Sequence, residues 1–235
     1  MENKRTALIT GASQGLGLAL ATALAKTGWN LLINARNAKT LLAAKNTLSQ
    51  YTQVIAISGD VRDEIHLLQL AEALQANHWT LDLVVNNASA LGVSPMPNLL
   101  DHPIDDLHVV FHTNIIAPIS LLQKIKTYLN ANAKIINVSS DTGVEAYETW
   151  GAYGGSKAAL DHITAIMGKE NPQFKCYAFD PGDMRTSMHQ AAFPNEDISD
   201  RPLPTTHAVP ALLTLIADEL PSGRYTSNSL IPMNS

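Results

Sequence analysis

The chain has 235 residues, 46% of them hydrophobic and 16% charged, enough to bury roughly 70% of its unfolded surface in one core without disulfides or metal staples. Sixteen basic residues against 21 acidic ones give a net charge of -5, which excludes a globally basic nucleic-acid-binding surface. The single cysteine, Cys176, excludes an internal disulfide and fits a reducing compartment.

The opening Met1–Arg5 runs directly into a short apolar segment of no signal-peptide pattern. No apolar run approaches the ~18 residues of a membrane span, so a cytoplasmic chain without membrane contact is expected. Compact apolar runs at Thr6–Thr10, Asn30–Asn34, Gln53–Ser58, Leu81–Asn86, Lys134–Ser139 and Phe174–Phe179 read as strands. Their apolarity is continuous rather than alternating, the pattern of strands covered on both faces of a parallel sheet. Between them, amphipathic stretches predict helices over Gly15–Lys26, Ala38–Tyr51, Glu64–Asn77, Ile104–Asn130 and Tyr153–Lys169. Asp183–Thr206 is irregular, with three prolines, and exceeds an ordinary loop, so it is expected to form a lid or mobile segment. A last helix over Thr206–Leu220 and a final strand within Arg224–Ile231 complete the chain. The succession predicts one α/β domain, a doubly wound parallel sheet with helices on both faces.

The first strand runs into Thr10-Gly11-Ala12-Ser13-Gln14-Gly15-Leu16-Gly17 and then a helix. Glycines at such a turn let the backbone approach a pyrophosphate, and the helix N-terminus offers free N–H groups to it; a plain glycine turn reads the same way locally. Asp60-Val61 follows the third strand, Asn86-Asn87-Ala88 the fourth, and Ser140 the fifth. Tyr153 and Lys157 stand four residues apart on one helix face, and Pro181-Gly182 with Thr186 follows the sixth strand. Together these motifs resemble the short-chain dehydrogenase/reductase family over residues 6 to about 186, with Ser89 where the family carries a glycine after Asn-Asn-Ala. The resemblance implies a Rossmann-like fold and hydride transfer between a nicotinamide and a carbonyl or secondary alcohol. It also implies a homodimer or homotetramer. A nucleotide-sensing regulator or scaffold with little turnover is the competing reading.

By that resemblance the catalytic residues are Asn114, Ser140, Tyr153 and Lys157. Tyr153 gives or takes the proton, Lys157 lowers its pKa and holds the ribose, and Ser140 orients the carbonyl. Asn114 kinks its helix and holds a water. A neighbouring ammonium favours the phenolate of a tyrosine that otherwise titrates near pH 10. The expected cofactor contacts are Gly11, Ser13, Gln14, Gly15, Leu16 and Gly17 in the turn, with Arg36, Asn37, Asp60, Val61, Asn87 and Ala88 beyond it. Tyr153, Lys157, Pro181, Gly182, Met184 and Thr186 complete the set. The second strand exits as Asn34-Ala35-Arg36-Asn37 without a carboxylate for the adenosine ribose, and Arg36 suits a 2′-phosphate, so NADP(H) is favoured over NAD(H). Candidate substrate contacts are Glu145, Tyr147 and Trp150, with Met188 and His189, which together with Met184 and Phe193 point to a partly apolar substrate. His108 and His112 stand four apart without a third ligand, and no metal is assigned. The 49 residues after Thr186 leave room for a lid, a helix and a strand, which implies a fairly open pocket.

Overall fold

The continuous apolar runs fold, in a computed structural model describing residues 4–231, into seven strands: β1 Thr6–Ile9, β2 Asn30–Ala35, β3 Val54–Ser58, β4 Leu81–Asn86, β5 Leu129–Val138, β6 Lys175–Asp180 and β7 Gly223–Thr226. They form one parallel sheet in the order β3-β2-β1-β4-β5-β6-β7. Side chains alternate between two cores. Ala7, Ile9, Leu31 and Ile33 face a cluster with α1 (Gly15–Lys26), α2 (Ala38–Leu48) and α8 (Ala208–Ala217). Leu8, Leu32 and Val84 face a second cluster with α3 (Glu64–Ala76) and α5 (Ala117–Ile125). Every residue of β1 is buried, which is why its run shows no polar alternation.

After β3 the chain returns to the other side of β1 to lay down β4. The resulting crevice between β1 and β4, outside the carboxyl ends of the strands, is where this architecture binds ligands.

Four expectations are corrected. The long helix over Ile104–Asn130 is divided: α4 (Ile104–Phe111) passes through a widened π turn, His112–Ile116, into α5, then a 3₁₀ turn, and β5 already begins at Leu129. Pairing of β4 with β5 shifts between Leu81 and Leu83, so β5 absorbs the residues the helix pattern had claimed. Within Asp183–Thr206 a short helix α7 (Ser187–Ala192) forms because the Thr186 hydroxyl caps it, accepting from the His189 N–H at 3.2 Å. The final strand stops at Thr226, where Thr226 and Ser229 form a reciprocal cap that turns the chain into α9 (Ser227–Leu230). Between these lies α6 (Gly151–Glu170), which begins two residues before the predicted Tyr153. Among the described residues, no helix is long and apolar enough to cross a membrane.

Candidate active site

Gly11 and Gly15 hold φ of +67° and +55°, left-handed conformations that glycine adopts without strain. A Cβ on Gly11 would also stand 2.9 Å from Asn87 Nδ2. Asn87 is the clamp of this turn: its Nδ2 donates to the carbonyls of Thr10 (2.9 Å) and Gly11 (3.2 Å). Its own N–H and that of Ala88 both donate to the Thr10 hydroxyl. Gly17 is buried behind the turn, where a Cβ would meet Asn87 Nδ2 at 2.5 Å and the Gly11 carbonyl at 2.6 Å. It lets α1 approach the strand ends and does not line the cleft. The α1 cap residue, Gln14, makes no side-chain cap bond and the first turn carries no acid, so the helix N-terminus stays free for an anion.

The turn opens onto a cleft of about 340 Å³. Its wall brings together Gly11, Ser13, Gln14, Gly15, Leu16, Arg36, Asn37, Asp60, Val61, Asn87, Ala88, Tyr153, Lys157, Pro181, Met184 and Thr186. Sequence reasoning missed Asn34, Thr40, Ser89 and Ser139 in the same wall. At the far end Arg36 is exposed along the cleft, whereas Asn37 spends its side chain capping α2, accepting from the Thr40 N–H at 3.1 Å. Asp60 is gripped by Arg62 through Nε (3.1 Å) and Nη2 (2.8 Å), and this hydrogen-bonded guanidinium holds its carboxyl below the ordinary value. Beneath this end, Asn34 Nδ2 donates to the Gly59 carbonyl (3.0 Å) and to Nε2 of the buried His66 (2.6 Å).

Tyr153 and Lys157 lie on one face of α6, both buried. Lys157 Nζ donates to the Val138 carbonyl at 2.7 Å and sits 5.3 Å from the Tyr153 ring centre. Burial dominates both groups: it pushes the Tyr153 phenol up to about 12 and the Lys157 ammonium down to about 8. For Tyr153 this is the opposite direction from the expected lowering. The protein alone withdraws more solvent from the phenolate than it returns in positive charge.

Asn114 sits inside the π turn with its side chain fully engaged. Its Oδ1 accepts from Ser89 Oγ (3.0 Å) and the Ala90 N–H (2.8 Å), and its Nδ2 donates to the Ala90 carbonyl and Ser156 Oγ (both 2.9 Å). The helix is widened there rather than simply kinked, and the amide pins the β4–α4 loop to α6. The Ser140 hydroxyl donates to Asp141 Oδ1 at 2.8 Å and accepts from Thr142 Oγ1 at 3.1 Å.

A second cavity of about 90 Å³ adjoins Tyr153, with Leu91, Trp150, Met184, Met188, His189 and Ala192 on its apolar side and Ser140, Asp141, Asp180, Gly182 and Asp183 on its polar side. Phe193 packs behind it on Trp150 (5.7 Å) and His189 (4.9 Å) rather than in the wall. Glu145 is exposed outside the wall, and Tyr147 touches it only by donating its hydroxyl to Asp141 Oδ2 (3.2 Å). Asp141, which sequence reasoning passed over, carried one readable signal: it directly follows Ser140. Arg224 was missed altogether. From β7 its Nη2 reaches the Ser140 carbonyl (3.0 Å) and Asp180 (2.9 Å), and its Nε reaches Asp161 (2.9 Å). His108 and His112 are exposed on the α4 side.

Residues 5–197 match the family model described as short chain dehydrogenase. A 3-oxoacyl-[acyl-carrier-protein] reductase of rhamnolipid biosynthesis in Pseudomonas aeruginosa is 34% identical over 173 residues, which make up 71% of this chain and 66% of that protein, just under two thirds of its length. Among solved structures, a short chain dehydrogenase from Shigella flexneri complexed with NADP superposes with a TM-score of 0.89 at 26% identity, covering 96% of this chain and 98% of the other. One from Escherichia coli complexed with NADPH gives 0.87 at 25% identity, covering 96% and 97%.

Proposed function

The chain belongs to the short-chain dehydrogenase/reductase family of oxidoreductase enzymes, and from that premise we propose that it transfers hydride between NADP(H) and a carbonyl or secondary alcohol. One observation carries the reading: a buried tyrosine and a tethered lysine stand side by side where the cofactor cleft meets a second cavity. The uncapped α1 N-terminus and the two left-handed glycines fit a dinucleotide's pyrophosphate. Arg36 suits a 2′-phosphate, and β2 exits without a ribose-binding acid. Two similar structures that hold NADP or NADPH support the same preference. The nicotinamide, when bound, supplies or accepts the hydride.

In reduction Tyr153 hands its proton to the carbonyl oxygen as the carbinol forms. In oxidation it takes the proton from the alcohol, and its phenol, held high by burial, needs nearby positive charge for that step. Lys157, fixed by the Val138 carbonyl, brings an ammonium beside it. A carbonyl substrate class agrees with the 3-oxoacyl reductase named among the relatives. Asn114, with no free side-chain valence, acts as a positioning residue for Ser89, Ala90 and Ser156. The reading also takes the chain as a single domain that pairs with copies of itself. Exposed Ile104, Phe111 and Ile116 on the α4–α5 side and Ile166 on α6 provide the apolar face.

Tyr153→Phe keeps the ring and removes the proton. Calorimetry should find NADPH binding within about threefold of the parent, while NADPH oxidation with a panel of ketones and aldehydes falls by at least about 100-fold, the scale of lost general-acid catalysis. Full turnover by the variant overturns the assignment. NADPH binding without turnover by the parent across the panel favours the sensor reading instead.

A further inference from the structure

The wall beside Tyr153 carries more negative charge than its own cations neutralise. Asp141 lines the second cavity and forms no ion pair with any lysine, arginine or histidine among the described residues. Its bonds come only from neutral donors: the Ser140 hydroxyl (2.8 Å), the Thr142 N–H (2.8 Å) and the Tyr147 hydroxyl (3.2 Å). Two arginines bind carboxylates of this wall, and each is shared with a second carboxylate. Arg224 joins Asp161 and Asp180, and Arg201 joins Asp183 and Asp200. His189 lies 3.8 Å from Asp183 and makes no pair with Asp141.

The hydrogen-bond polarity of the wall agrees. The Ser140 hydroxyl gives its proton to Asp141 and already accepts from the Thr142 hydroxyl (3.1 Å) and N–H (3.3 Å), so the acceptor this pair offers a ligand is the Asp141 carboxylate. At the junction of the two cavities the Ser139 hydroxyl, only 1% exposed, has no hydrogen-bond partner. A buried polar atom of this kind takes its partner from an ordered water or a ligand. The Lys157 ammonium stands in the cofactor cleft and not in this wall, so an anionic substrate group here would meet an unpaired carboxylate, whereas a cationic group finds a counter-charge already built.

Resting on the carbonyl and alcohol reading above, we propose that the substrate carries a cationic nitrogen, an ammonium or protonated base, close to its reacting carbon, and that Asp141 selects it. The charge would sit between Asp141 and the reacting oxygen, with the apolar side of Leu91, Trp150 and Met188 covering the rest of the molecule. The carboxylates of Asp141 and Asp180 also help hold the Tyr153 proton on, and a bound cation opposes them.

The test uses two ketones of nearly equal shape, acetonyltrimethylammonium and 4,4-dimethylpentan-2-one, which differ by a permanent charge. With NADPH the parent enzyme should show kcat/KM at least about tenfold higher for the cation, the equivalent of about 1.4 kcal/mol. Asp141→Asn should lower the ratio of the two by raising KM for the cation, leaving the inductive activation of its carbonyl unchanged, and Asp141→Glu should restore part of it. NADPH calorimetry verifies that each variant is folded. In the parent enzyme, raising salt from about 0.05 to about 0.5 M should raise KM for the cation alone, a measurement that stands even where a variant fails to fold. Turnover of the neutral ketone with no advantage for the cation overturns this inference and leaves the carbonyl reading intact. A cation preference that survives unchanged in a folded Asp141→Asn overturns the role of Asp141. Turnover of neither ketone, nor of any in the wider panel, removes the carbonyl reading and this inference with it.

Discussion

Arg36 and Asp60 show what a residue's identity predicts and what only its neighbours decide. Both line the cleft, but Arg36 is exposed and forms no ion pair among the described residues, while the Asp60 carboxylate is already occupied by Arg62. Arg36 is therefore a free guanidinium fork at this end of the cleft, of the geometry that grips a phosphate bidentately. Arg36→Ala should lower kcat/KM for NADPH by about 10- to 100-fold, the loss of one charge-assisted contact of about 1.5–3 kcal/mol, and change the NADH value little. Equal losses with both cofactors would remove Arg36 from the 2′-phosphate site. The type and position of these residues were legible in the chain. The partners were not, because Arg62 binds Asp60 by folding back two residues and Asn37 is spent on its own helix. The same limit hid Asp141: a carboxylate after Ser140 is visible, but its capture of the Ser140 proton depends on rotamers that spacing does not encode.

At the scale of elements, sequence pattern located what repeats and missed what ties the repeats together. Helix α1 matches its predicted bounds, since one apolar stripe and one glycine turn define it. The π turn around Asn114 leaves no mark in the apolar periodicity of 104–125, because its cause is tertiary: four hydrogen bonds from one amide to a loop and a neighbouring helix. Strand β7 is shorter than expected, and its importance lies in Arg224, beyond residues 5–197 that carry the family match. That side chain joins β7 to the Ser140 carbonyl, to Asp180 at the end of β6 and to Asp161, one helical turn past Lys157. Arg224→Met keeps the stem and removes three bonds, leaving Asp180 and Asp161 facing each other without a cation. Stability should fall by about 1–3 kcal/mol, since the arginine is partly exposed, and kcat should fall more than KM rises as Ser140 loses its anchor. Urea unfolding and steady-state kinetics separate the two effects. A destabilised variant with unchanged kcat would make Arg224 a purely structural tie.

For the whole molecule, the continuous strands announced a parallel sheet, and the sheet's order places the crevice at the ends of β1 and β4. Polar groups buried inside that framework were not legible, because a polar residue in a strand or helix reads as surface until its partner is known. Asn86, Asn137 and Thr164 form one such buried chain across β4, β5 and α6. His66 is another, and it makes folding sensitive to pH. Its ring packs over Gly59, where a Cβ would come within 2.2 Å of Nδ1, and its Nε2 accepts from Asn34 at 2.6 Å. That bond requires the neutral ring. Burial lowers the pKa of His66 below its ordinary value of 6.5, the Gln69 side chain and then the carboxylates of Asp63 and Asp60 offsetting part of the shift. The unfolded chain therefore binds a proton more readily than the folded one. The stability that depends on the neutral ring is complete above pH about 6.5 and is lost as pH falls below it towards the lowered folded value. His66→Gln retains a hydrogen-bonding side chain and removes the titration. The stability difference between parent and variant, from urea unfolding at pH about 7.5 and about 5.5, should shrink at the lower pH. A difference that holds constant across that interval would mean that His66 titrates alike in both states, and the acid sensitivity of the fold would lie elsewhere.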